Sequence, residues 1–104
     1  MQQIIPGMIS VAAAGTIVTS GAASAEVAIP VGANGAVPSA VHIACVTPAG
    51  AAHVKAVRTG TAATTSDLCV TFGAPVILWV KGQSHIAHIQ EVAASKLNIT
   101  PLET

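Results

Sequence analysis

Tyrosine is absent, and the other two aromatic types occur once each, as Phe72 and Trp79. Charge is nearly as scarce. Four basic and four acidic side chains in 104 residues give a formal net charge of zero. Leucine occurs four times against 13 valines and ten isoleucines. Each shortage excludes a class. A nucleic-acid binder needs a cationic patch to displace counterions, and Lys55, Arg58, Lys81 and Lys96 are few and scattered. A coiled coil or helical bundle needs leucine, glutamate and lysine. Disorder needs low hydropathy and excess charge, whereas 52% of this chain is hydrophobic. An elaborate active site is hard to assemble from eight charges and four histidines.

The remaining shortages concern address and redox state. No clean apolar run of about 18 residues exists, so no membrane-spanning helix is expected. Ala23-Ser24-Ala25 has the small-x-small form of a signal-peptidase site, but Met1-Gln2-Gln3 carries no Lys or Arg side chain, so no cleaved leader is expected. Cys45 and Cys69 are the only cysteines, and two unbonded, buried thiols are the expectation. Their spacing is unlike a zinc knuckle, which needs closely spaced ligand pairs.

What is present is small and β-branched. Alanine, threonine, glycine and serine make 47 of the 104 residues. Short runs of valine, isoleucine and threonine are separated by Gly, Pro, Asn or Ser, the spacing of an all-β domain. The pattern predicts strands within 7–19 (around 9–11 and 16–19) and over 25–30, 40–47, 52–59, 68–71, 76–81, 85–92 and 96–102. Period-two alternation assigns the faces. Val41, Ile43 and Cys45 oppose His42 and Ala44, while Ile77 and Trp79 oppose Val76, Leu78 and Val80. The short Pro48-Ala49-Gly50 connection predicts a hairpin between 40–47 and 52–59. The strand over 85–92 is expected to pair with 76–81. Residues 1–104 therefore read as a single antiparallel two-layer β-sandwich of seven or eight strands, a jelly roll or an Ig-like Greek key. The core is expected to be thin, with Trp79 and Phe72 its bulkiest fillers. Residues 1–20 read as an edge strand or as an arm added to a neighbour's sheet.

Few residues suggest chemistry. His85-Ile86-Ala87-His88, with His42 and His53, invites a cupin-like metal reading, but positions three apart on a strand face opposite sides, and Glu91 is the only nearby carboxylate. Ser66, Asp67 and His85 lack a nucleophile elbow and read as turn chemistry. Cys69 has no neighbour in sequence that would lower its thiol pKa. No glycine-rich phosphate loop is present. No catalytic, cofactor-binding or metal-binding residue is expected, and the protein reads as a non-enzyme. Trp79 reads first as a core anchor and second as an interface hot spot. The polar tract 61–66 reads as a solvated loop that could lie against a partner. The candidate interface set is Ile4, Ile5, Ile9, Trp79, His85 and His88. Such low charge favours association, because soluble monomers use surface charge to stay apart.

The stretch Val57-Arg58-Thr59-Gly60-Thr61-Ala62-Ala63-Thr64-Thr65-Ser66-Asp67, followed by Pro75-Val76-Ile77-Leu78-Trp79-Val80, His85-Ile86-Ala87-His88-Ile89 and Leu97-Asn98-Ile99-Thr100-Pro101-Leu102-Glu103, resembles the small β-sandwich decoration and cement proteins of tailed bacteriophages. The likeness covers residues 52–103 and lies in strand and loop composition. It implies a virion structural protein on the capsid surface, assembled in the host cytoplasm. Its implied partners are the major capsid protein and further copies of itself, as dimers or trimers, with no nucleic acid or membrane. Two other readings stay open: a tail or fibre module that binds a receptor or glycan, and a cupin-like metal-binding protein.

Overall fold

Alternation of large apolar with polar or small positions lets a strand bury one face, and the apolar positions here are mostly β-branched, which suits a pleated surface. The computed structural model describes residues 14–32 and 35–102. Eight strands form within them: β1 (Thr16–Ser20), β2 (Ala25–Ala28), β3 (Ala40–Cys45), β4 (Ala51–Val57), β5 (Leu68–Thr71), β6 (Val76–Trp79), β7 (His85–Gln90) and β8 (Ser95–Pro101). They make two four-stranded sheets, ordered β1-β8-β3-β6 and β2-β7-β4-β5. Every pair of neighbouring strands is antiparallel. The expected sandwich is therefore present. The expected strand at 9–11, and Ile4, Ile5 and Ile9, lie outside the described residues. Residues 16–20 do form an edge strand, β1, of the chain's own first sheet.

The pairing is nested. β1 lies against β8, β2 against β7, β3 against β6 and β4 against β5. A long antiparallel ribbon has been folded over itself, which is a jelly roll and decides between the two expected topologies. Two expected pairings are corrected. β3 and β4 are not a hairpin, because β3 belongs to the first sheet and β4 to the second. Nor does β7 pair with β6: it lies between β2 and β4, while β6 pairs with β3. The turn residues do turn the chain, but at these points they carry it from one sheet to the other. Only β4 and β5 are consecutive strands paired in one sheet, joined by the loop of residues 58–67.

The core fills the gap between the sheets with Val41, Ile43 and Cys45 of β3, Val54 of β4, Val70 of β5, Ile86 of β7, Leu97 and Ile99 of β8, and Val80 after β6. Burying each valine, isoleucine or leucine contributes on the order of 1.5–3 kcal/mol. Trp79 and Phe72 are not among the fillers, which corrects the expected core. They are 64% and 51% exposed. The reason for Trp79 is parity: it alternates with Leu78 and Val80, which point inward. Sheets about 10 Å apart, lined by β-branched side chains, leave an indole on the outer face no route inside.

Candidate functional site

The two outer faces differ. On the first sheet, the register aligns Ile17 of β1 with Asn98 of β8 and Ala44 of β3. The next outward row runs Thr100, His42 and Ile77, and beyond it Ala40 meets Trp79. Ile17, Ile77 and Trp79 are 55%, 56% and 64% exposed. Among the described residues of these four strands, Lys96 is the only one with a formal charge. This is a nearly uncharged face that mixes neutral polar side chains with three exposed large apolar ones.

The second sheet covers its apolar outer residues with the chain itself. Ala63, in the loop 58–67, is buried against Val57 and Ala87, with Ile89 alongside. Its N–H donates to Ser24 Oγ at 2.8 Å. The loop tip is held by Glu26 of β2, whose carboxylate accepts from the Gly60 N–H at 2.7 Å and the Thr59 hydroxyl at 3.1 Å. The loop's other end is closed by Asp67, which accepts from the Thr64 N–H at 2.7 Å and pairs with Lys55 at 3.3 Å. That N–H, then the lysine, hold the Asp67 carboxyl below its usual pKa. The tract 61–66, expected to be solvated, thus includes a buried alanine anchored over its own sheet.

Beside the loop, three potential ligands meet. His53 of β4 stands directly opposite Cys69 of β5, both pointing outward, and Glu91 follows β7. The Nδ1–H of His53 donates to the Asp67 carbonyl at 2.8 Å, so Nε2 faces Glu91 Oε2 at 2.6 Å. The Cys69 thiol donates to the same oxygen at 3.7 Å. His53 is 5% exposed, yet its pKa is raised, first by the Asp67 carbonyl and then, against the opposing effect of burial, by the Glu91 carboxylate. The Cys69 thiol is pushed up by burial and by the Glu91 charge. Both ring nitrogens of His53 are engaged by oxygen, so neither is placed to take the Cys69 proton. The group is therefore not a cysteine nucleophile with its base.

The remaining residues singled out from sequence are dispersed. His85 and His88 face opposite sides of the second sheet, as their spacing requires. His88 is 3% exposed and points between the sheets, where Ser20 Oγ lies 2.8 Å from its Nδ1. It is therefore corrected from interface residue to interior hydrogen-bonding residue. Burial lowers its pKa. His85 is half-buried on the outer face, hydrogen-bonded to Ser84. Ser66, Asp67 and His85 form no relay, since Asp67 is engaged by Thr64 and Lys55 and His85 by Ser84. Cys45 and Cys69 are unbonded, Cys45 buried and Cys69 only partly so. The trio of His53, Cys69 and Glu91 was not anticipated as a group, because the residues are far apart in sequence. Period-two parity, which turns both His53 and Cys69 outward, was the one usable signal. No protein-family model, curated protein or solved structure matches the chain.

Proposed function

We propose that the chain is a non-enzymatic assembly protein of the capsid decoration or cement kind. It binds the major capsid lattice of a virion in many copies and also associates with itself. The observation that carries this reading is the outer face of the first sheet, where Ile17, Ile77 and Trp79 stand exposed with almost no charge around them. On the second sheet, Val57, Ala87 and Ile89 have cover from the chain's own loop, whereas among the described residues Ile17, Ile77 and Trp79 stay largely exposed. Repeated copies on a lattice turn modest individual contacts into a firm attachment. The choice of a capsid lattice as partner rests on the resemblance to decoration proteins read from the sequence of residues 52–103 alone.

The test is sedimentation of the full chain alone and with empty phage shells. Self-association at micromolar concentration and co-sedimentation with shells are expected. Trp79→Asp, a change at an exposed position, should weaken shell binding at least about 30-fold, the loss typical of an interface hot spot. A strictly monomeric protein that ignores shells overturns the reading.

Exposure of Trp79 and Phe72 also favours a second reading, a tail or fibre module that stacks a glycan on an aromatic ring. Binding to immobilised glycans that disappears in Trp79→Ala would select it.

A further inference from the structure

The cluster of His53, Cys69 and Glu91 has the donor atoms of a metal site, and it stands apart from the first-sheet face proposed for assembly. Among the described residues it is the one place where three such donors meet, all within 4.8 Å of one another. We propose that His53 Nε2, Cys69 Sγ and Glu91 Oε2 bind one divalent cation of the zinc class, with a fourth position open to water.

Four observations support it. The donor set is nitrogen, sulfur and oxygen, which suits zinc and disfavours magnesium or calcium. The ring of His53 is already oriented, because its Nδ1–H donates to the Asp67 carbonyl at 2.8 Å and leaves Nε2 as the ligand atom. A backbone carbonyl in this position is a usual outer partner of a metal-bound imidazole. The sulfur-to-oxygen distance of 3.7 Å is close to the roughly 3.6 Å that tetrahedral zinc would impose. The nitrogen-to-oxygen distance of 2.6 Å must open by roughly 0.7 Å, and the Glu91 side chain, 43% exposed, has room to swing. That exposure also gives the ion an entry path from solvent.

Without a cation, the arrangement sets a thiol against a carboxylate that opposes its ionisation. A divalent ion removes the conflict by neutralising both groups. Binding releases the Cys69 thiol proton and any proton shared between His53 and Glu91, both to solvent, as the ligand atoms take up the metal.

The test titrates the full chain, kept reduced, with Co²⁺ as a spectroscopic probe and then with Zn²⁺ as competitor. One equivalent of Co²⁺ should produce the visible bands of a tetrahedral ion and a thiolate charge-transfer band, both displaced by Zn²⁺. Cys69→Ser should abolish the charge-transfer band. Glu91→Gln, at a position too exposed to endanger the fold, should weaken Co²⁺ binding at least about tenfold. Saturating Zn²⁺ should also protect Cys69 of the unsubstituted protein from alkylation. An octahedral spectrum, a charge-transfer band that survives Cys69→Ser, affinity unchanged in Glu91→Gln, or alkylation indifferent to Zn²⁺ overturns the proposal.

Discussion

His53 and His88 occupy neighbouring strands, and their surroundings push them in opposite directions. His88 lies between the sheets at 3% exposure, and burial alone lowers its pKa; no charged group contributes. Its native pKa is below the unfolded value, so the unfolded chain takes up the proton first as pH falls. Stability is therefore full above pH 6.5 and declines as pH drops through the interval down to the native pKa. The slope for one proton cannot exceed about 1.4 kcal/mol per pH unit. His53 shifts upward and acts above pH 6.5, and Asp67 shifts downward and acts below pH 3.8, so neither occupies that interval. Urea unfolding followed from pH 7.5 to pH 5 should show the decline in the unsubstituted chain. His88→Gln, whatever its absolute stability, should show a flatter profile there. A profile equally steep in the variant removes His88 as the cause.

At the scale of elements, the loop 58–67 takes the place of a covering layer for the second sheet. Its hold on β2 is the Glu26 carboxylate, which accepts from Gly60 and Thr59. Glu26→Ala removes both bonds while leaving Ala63 buried. Amide exchange at Gly60 should quicken at least about fivefold, as expected for losing one ordinary hydrogen bond, while amides of β3 and β8 keep their protection. Unchanged exchange at Gly60 would show that packing alone holds the loop. This element also marks where sequence reasoning stops. The strands were legible because Val41, Ile43 and Cys45, or Leu97 and Ile99, alternate with polar or small residues. Their partners were not. A short turn such as Pro48-Ala49-Gly50 serves equally well to reverse a strand within one sheet or to step across to the other. Nothing local distinguishes the two, since the choice depends on which distant strand fills the neighbouring place: β8 and β6 beside β3, and β7 and β5 beside β4. The same distance hid the metal-ligand cluster. His53 meets Cys69 only through the pairing of β4 with β5, and Glu91 joins them only because β7 runs along β4.

For the whole molecule, the scarcity of charge sets how it can associate. Across the four strands of the first sheet, Lys96 is the only described residue with a formal charge, and the exposed bulk belongs to Ile17, Ile77 and Trp79. Contact through that face must draw on apolar burial, because almost no Coulomb attraction is available across it. Salt screens interactions between exposed charges, with a Debye length falling from about 10 Å at 0.1 M to about 3 Å at 1 M, but leaves apolar burial largely intact. The dissociation constant for self-association, measured by sedimentation in sodium chloride from 0.1 to 1 M, should therefore stay within about twofold or tighten slightly. Association through the Glu26, Asp67, Lys55 and Arg58 side of the molecule would instead weaken markedly across the same range, since that region holds most of the described charges. A tenfold loss of affinity in high salt would move the contact to that side and leave the face carrying Trp79 without its proposed role.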